Sequence, residues 1–412
     1  MAEGFLGFDY CDGDKYHEQY YVFKPFKFFK LTHNPKIDPY CFDTDDIDED
    51  INVKFPLVVK NYRPVCDSAN LYIIGGYDDR LLNDEIVMKV IWKFNFATLT
   101  WCRLTSSGFE EAVLLSNSVM LGEHKVLCQT NGSFSICDLA KENPTFQHFP
   151  TTGFFPEINK FNGICSVIHD NHVYTYGGRI PHVRHDIYRL DLKNKVWDKQ
   201  YDSTYPKKYD LGLYTRDIFL FESKIYSIGV RDNPTEKIFG FRDVYVYCIN
   251  SNRFEVKVTK PDPFLKRKRG HDRYPIERIA HSCIQLPNHP NLIVLIGGLH
   301  YEEDVLNDVW MLNLQTLQWK KVKSNLPKIY FHAAAVSSLG KVVIYGGTLQ
   351  VYESDEDNNN VFVCWCGIPK LKEICWDALL FYSHKGVYNY SLSDFPSLGV
   401  PNEFINRIHH RK

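Results

Sequence analysis

No CxxC pair occurs in this 412-residue chain, and only Cys364-Trp365-Cys366 brings two of its 12 cysteines close together in sequence. Structural zinc and dithiol redox centres use tighter clusters, so neither metal nor redox chemistry is expected, and scattered single thiols fit a reduced intracellular compartment. Charge of one sign is lacking too. With 48 basic and 50 acidic residues the formal net charge is -2, which argues against a general polyanion partner such as nucleic acid. The longest apolar runs are strand length and the N-terminus has no charged-then-apolar leader, so no membrane span or secretory signal is expected. The expected location is cytoplasmic, nuclear or both. Catalytic signatures are missing as well: there is no HExxH, no phosphate loop, no nucleophile elbow and no Ser-x-Asp-x-Gly-x-x-Trp box. No enzymatic role and no cofactor are therefore expected.

What the chain does have is core material, 44% hydrophobic and 15% aromatic, arranged in a repeat. The fullest copy is Ile293–Trp319. It reads Ile-Val-Leu-Ile-Gly-Gly, a polar loop, Asn307-Asp308-Val-Trp-Met-Leu-Asn-Leu, a short turn, then Gln318-Trp319-Lys-Lys-Val. One apolar run and two alternating runs separated by turn residues read as three β-strands. The paired glycines let the chain turn tightly and let a neighbour pack against bare backbone. Equivalent pairs stand at Gly75-Gly76, Gly177-Gly178 and Gly346-Gly347, with Trp101 and Trp197 following the first two. The 49 residues from Gly297 to Gly346 match a period of roughly 50, and the 102 from Gly75 to Gly177 are two such periods. A worn copy is expected between them at Lys125–Gly132, and a single-glycine copy falls at Lys224–Gly229. Six copies of this length predict an all-β fold, a six-bladed β-propeller with four antiparallel strands per blade. Residues 60–366 hold the blades. Residues 1–59 form an N-terminal segment, partly disordered, and its stretch 20–32 is expected to supply the outer strand that the sixth copy lacks, closing the ring.

In such blades the loops after the glycines and the links between blades share one rim. That rim would carry Arg179, Arg184, Arg231 and the basic insertion Lys266–Arg273, with Arg278 pointing toward the channel mouth. Converging guanidinium groups suit a carboxylate or phosphate ligand, although surface loops often carry arginine for solubility alone. The insertion also reads as a nuclear import signal or, more simply, as a solvated loop. The acidic run Asp43–Asp50 is expected to be a solvated loop or a lid over this basic face. His281 and His332 occupy matching inner-strand positions and are expected to be satisfied core histidines.

After Cys366 the period changes. Apolar groups at 371, 374, 375, 378, 379 and 382 draw a helical stripe, with Pro369 at its start and His384-Lys385-Gly386 at its end. Trp376 and Leu380 lie beside the stripe, so the apolar surface is wider than one supporting face needs. A second short helix is expected after Val400-Pro401, with Phe404, Ile405 and Ile408 on its apolar side. Residues 367–412 thus form a short α-helical tail.

The repeats resemble the kelch-repeat family over residues 60–366. In the tail, Leu371, Cys375 and Leu379 at four-residue spacing resemble the BC-box, the helix that docks on Elongin C in cullin–RING ubiquitin ligase receptors. Lys370 stands where that box prefers a small residue. Val400-Pro401-x-x-Phe404 is similar to the cullin-2 box that usually follows. The resemblance implies a non-catalytic substrate receptor that binds Elongin B/C and cullin-2 and presents protein C-termini to the ligase. Arg179 with Arg184 is similar to a carboxylate-binding stretch of related receptors. The alternative is a kelch scaffold or cytoskeletal protein whose tail is only a structural cap. An adaptor for another cullin would need a BTB domain of roughly 100 residues, and the segment before the first blade is too short for one.

Overall fold

A computed structural model describes residues 8–10, 21–32, 63–74, 90–108, 117–122, 124–130, 133–154, 165–176, 179–180, 182–183, 186–202, 217–229, 240–266, 273–300, 304–351, 354–357, 360–383 and 393–408. The strands form six antiparallel blades around one axis. Blade I is Arg63–Cys66, Asn70–Ile74, Val90–Asn95 and Thr100–Thr105. Blade II is the worn copy, Asn117–Leu121, Lys125–Thr130, Ser133–Asp138 and Phe146–Pro150, which forms a full sheet without a glycine pair. Blade III is Cys165–His169, His172–Tyr176, Ile187–Asp191 and Val196–Tyr201. Blade IV is Asp217–Phe221, Lys224–Ile228, Asp243–Cys248 and Arg253–Val258. Blade V is Ser282–Leu286, His289–Leu299, Val305–Asn313 and Gln318–Val322.

The sheet of blade VI has three strands from this part of the chain, Ala333–Val336, Lys341–Tyr345 and Val361–Trp365. Its fourth comes from the N-terminus: Phe29–Leu31 pairs with Val361–Trp365, Phe29 opposite Val363 and Leu31 opposite Val361. Phe8–Tyr10, in the segment expected to be partly disordered, adds a fifth strand outside it. The innermost strands of blades VI and I meet, so the ring has no gap.

Burial explains why the repeat closes on itself. Each pair of neighbouring blades shares an apolar cluster, six in all around the ring among the described residues. In blades I, III and V a recurring tryptophan stitches the blade to the one before. Trp319 of blade V is fully buried and donates its indole N–H to the Phe241 carbonyl of blade IV at 2.9 Å. Trp101 of blade I sets its ring 5.2 Å from that of Tyr345 in blade VI, and Trp197 of blade III donates to Thr151 Oγ1 in the preceding link. A tryptophan both fills space and offers one donor, which suits a sheet-to-sheet joint.

The glycines make room for the next blade. A Cβ on Gly298 would lie 2.9 Å from the Cβ of His281 and 2.9 Å from the Ile279 carbonyl oxygen, and one on Gly297 would lie 3.1 Å from His332 Cε1. The His332 ring of blade VI thus rests on bare backbone of blade V. His281 relates to Gly229 of blade IV in the same way, at 3.7 Å.

Among the described residues three helices follow the ring: α1 (Leu371–Tyr382), α2 (Asp394–Ser397) and α3 (Asn402–Ile408). They pack Trp376, Leu380, Phe395, Phe404, Ile405 and Ile408 into one cluster with Ala97 of blade I. Asn95 donates from its side-chain amide to the Arg407 carbonyl, and Lys341 and Trp365 of blade VI both donate to Asp377. Ala97 lies in the turn between the third and fourth strands of blade I, and Lys341 opens the second strand of blade VI just after a strand one–two turn. The tail therefore sits on the rim opposite the glycine loops.

Candidate functional site

Two surfaces were expected to carry function, the glycine-loop rim and the tail. On the rim, Arg278 is not where the sequence reading put it. Its side chain is wholly buried, with Nη1 2.5 Å from Asp308 Oδ1 and Nη2 3.2 Å from Oδ2. Nε donates to the Ile276 carbonyl at 2.9 Å and Nη1 also to the Gly297 carbonyl at 3.0 Å. Phe241 of blade IV covers one side of the guanidinium, 6.0 Å from its ring centre. A bidentate carboxylate and two carbonyls engage four of the five guanidinium N–H groups, and the carboxylate matches the charge. Arg278 is thus withdrawn from the list of carboxylate-capturing residues: it fastens the link between blades IV and V to the loop after Gly297.

Burial raises the Asp308 carboxyl, and the Arg278 guanidinium outweighs it, so the group ends below its usual range. Trp310 Nε1 adds a donor at 2.7 Å. The sequence carried a hint of this anchor. Asp186 stands just before the third strand of blade III as Asp308 precedes the Val-Trp of blade V, and it is buried and paired with a cation, Lys199 Nζ at 3.1 Å. The acid two residues ahead of an aromatic is a structural acceptor.

Arg179 begins a two-residue strand, Arg179–Ile180, that pairs with His182–Val183 directly after the glycine pair of blade III. Its side chain lies outside the described residues, as do Arg184, Arg231 and residues 267–272 of the basic insertion. The acidic run Asp43–Asp50 lies outside them too. The insertion is fastened at both ends. Asp262 is buried, accepts the backbone N–H of Lys321, and donates its own backbone N–H to the Arg273 carbonyl.

His281 and His332 are core residues, yet not satisfied ones. Neither nitrogen of His332, nor Nδ1 of His281, makes a hydrogen bond. Burial pushes the His281 ring down to about 3 and the His332 ring down to about 4. Both stay neutral at physiological pH.

The tail helix has two sharply different faces. At roughly 100° per residue, Glu373, Trp376 and Leu380 point one way, and all three are buried. Glu373 accepts a two-pronged pair of bonds from Arg407 of α3, at 2.6 and 2.9 Å, and Trp376 stacks on Phe404 with centroids 4.9 Å apart. The opposite way point Leu371, Cys375 and Tyr382. Leu371 is 73% exposed and Tyr382 59%, and Cys375 is exposed. Leu379 flanks this ridge and is half-buried against the tail cluster, while Ile368, just before the helix, is 82% exposed. The stripe drawn from the sequence is therefore the outward ridge, and the residues beside it, Trp376 and Leu380, are the supporting face. Of the Val400, Pro401 and Phe404 set, Phe404 is buried beneath Trp376 and Val400 is partly buried, which leaves Pro401 exposed.

Curated relatives share most of this chain. It is 27% identical over 372 residues to kelch domain-containing protein 10 of Rattus norvegicus, an alignment covering 86% of this chain and 86% of the relative. The protein of that name in Homo sapiens is also 27% identical, with 86% and 80% covered. The kelch domain-containing protein 10 homolog of Drosophila melanogaster is 26% identical over 420 residues, covering 94% of this chain and 66% of that protein. These relatives and the six blades support a kelch-repeat protein. No family model matches the chain. The alignments cover most of the chain at about a quarter identity.

Proposed function

We propose that this chain is the substrate-recognition subunit of a cullin-2 RING E3 ubiquitin ligase, a protein-interaction module without catalysis of its own. In this reading α1 docks on Elongin B/C through Leu371, Cys375 and Leu379, and the glycine-loop rim receives protein C-termini. The observation that carries the reading is the outward ridge of α1. Its Leu371, Cys375 and Tyr382 stay exposed although the same helix has a fully packed face of its own. A helix serving only as a cap has no physical need for a second apolar face, and burying an exposed leucine in a partner's cleft is worth roughly 1.5–3 kcal/mol. The ridge sits on the rim opposite the glycine loops, so a docked ligase and a bound substrate do not compete for space. Cullin-2 contacts would then run through Pro401 and the exposed Leu398, with Phe404 acting as the support beneath them. For the carboxylate of a target's C-terminus the candidates are Arg179, Arg184 and Arg231. A protein working this way belongs in the cytoplasm or nucleus.

Co-purification with recombinant Elongin B/C tests the ligase half. The unmodified chain is expected to retain Elongin B/C, and Leu371→Ala with Cys375→Ala to lose it while the thermal transition stays within about 0.5 kcal/mol of the original. A chain that never retains Elongin B/C, or a double variant that binds as before, points to the second reading. That reading is a kelch scaffold with the tail as cap, favoured by the close packing of Glu373, Trp376, Phe404 and Arg407.

A further inference from the structure

A group of metal-ligating side chains lies just inside the glycine-loop rim, at the joint between blades IV and V. Asp217 opens the innermost strand of blade IV, and His281 and Cys283 stand at the start of the innermost strand of blade V. One ligand atom from each, a carboxylate oxygen, an imidazole nitrogen and a thiol sulfur, lies within 4.8 Å of the other two. The His281 Nε2 to Asp217 Oδ2 distance is 3.9 Å. We propose that Asp217, His281 and Cys283 form a binding site for a borderline-soft divalent cation, zinc above all, that joins blades IV and V beside the channel.

Geometry supports the assignment. Zinc bonds of about 2.0–2.3 Å in a tetrahedron place neighbouring ligand atoms roughly 3.5 Å apart, so closing from the observed spacing needs only side-chain adjustment. The chemistry of the donors is selective. A sulfur and an imidazole nitrogen disfavour calcium and magnesium, which take oxygen ligands, and favour zinc. Charge balances as well: a thiolate and a carboxylate neutralise a divalent ion, so the filled site is neutral overall.

The surroundings fit a held ion. The His281 side chain is 1% exposed, whereas the Asp217 side chain is 27% exposed and leaves an approach from solvent. Three protein ligands leave the fourth position to water. Arg278 stands close by, but its charge is already matched by the bidentate Asp308. On binding, the Cys283 S–H bond breaks, the sulfur keeps the electron pair as its metal bond, and one proton passes to solvent for each ion taken up.

The site was hidden from the sequence because its ligands come from two blades and obey no ligand spacing. It stands independently of the ligase reading, since none of its residues lies in the tail or among the exposed rim candidates.

The test uses the full chain, stripped with chelator and titrated with Zn²⁺ alone by calorimetry, with Co²⁺ as the spectroscopic probe. Expected are a single saturable ion per chain, a sulfur-to-cobalt charge-transfer band and a raised unfolding temperature with Zn²⁺. Cys283→Ser should abolish the band, and Asp217→Asn, on the more exposed ligand, should weaken zinc binding by about tenfold or more. Cys375→Ser, at the exposed thiol of the tail, should change neither. The proposal is overturned if the unmodified chain binds no saturable Zn²⁺, or if the band survives Cys283→Ser. It is overturned equally if Asp217→Asn, with its unfolding transition intact, binds as the unmodified chain does.

Discussion

Two buried arginine–carboxylate pairs organise opposite rims of this molecule, and they treat their neighbours differently. At the glycine-loop rim Arg278 and Asp308 sit among close partners: two backbone carbonyls, the Trp310 indole and the Phe241 ring. On the far rim Glu373 and Arg407 clamp α1 to α3, and the other side of α1 keeps an apolar ridge that stays exposed among the described residues. The first pair completes a joint. The second holds up a surface. A buried ion pair is weak evidence for net stability, since desolvation offsets much of the attraction, but removing one partner strands the other. The two pairs should therefore fail in different ways when broken.

The largest effect is expected at Arg278. Arg278→Ala leaves the Asp308 carboxylate, 13% exposed, with only Trp310 and a Lys321 ammonium 3.7 Å away. The expected cost is about 3–5 kcal/mol, taken from the cooperative unfolding of the whole ring and read by denaturant titration. Loss of peptide binding with unchanged stability would instead return Arg278 to the ligand face and undo the comparison.

A smaller, local effect is expected at the other pair. Arg407→Ala strands Glu373 and removes the guanidinium stacked 4.5 Å from Phe404, but α3 lies at the periphery and can let water in. A loss of roughly 1.5–3 kcal/mol should appear as faster amide exchange across 371–408, with the propeller transition unmoved. If the propeller transition fell as far as in Arg278→Ala, the tail would be part of the ring's own stability.

Much of the ring was legible because its causes are short-range or periodic. A glycine pair marks where the next blade must approach, and a tryptophan some 20 residues later marks the joint to the previous one. Both recur, so the 50-residue period and the worn second blade could be placed before any coordinates. The strand at Phe29–Leu31 was legible for a different reason: a sheet edge lacking its outer strand needs one, and that stretch has no repeat of its own. Arg278 was misplaced because its partner is 30 residues away across a strand pair, and a charged residue at a loop end reads as exposed until a carboxylate is found beneath it. The tail's two faces were visible as a stripe with apolar residues beside it. Which face turns inward was decided by Trp365, Lys341 and Phe404, groups distant in sequence from the helix centre. The Asp217–His281–Cys283 cluster left no trace in spacing at all.

His332 sharpens the comparison with the smallest effect at pH 7, because it is the hub residue that the hub does not satisfy. Its ring is 5% exposed, rests on Gly297, and has two nitrogens without hydrogen bonds. Burial holds its pKa down at about 4. The unfolded chain takes up a proton near the ordinary value of about 6.5, while the folded chain does not. Its contribution to stability is therefore complete above about 6.5 and is lost as pH falls toward 4, at about 1.4 kcal/mol per pH unit. His332→Leu removes both the titration and the two unsatisfied nitrogens, and replacing such a group by an apolar one is close to neutral at pH 7. The variant and the unmodified chain should unfold alike at pH 7–8, with the variant gaining steadily as pH drops from about 6.5 to 4. Parallel stability profiles across that window would mean that the ring reaches a partner or water in the folded state. The hub would then be as fully matched at His332 as it is at Arg278.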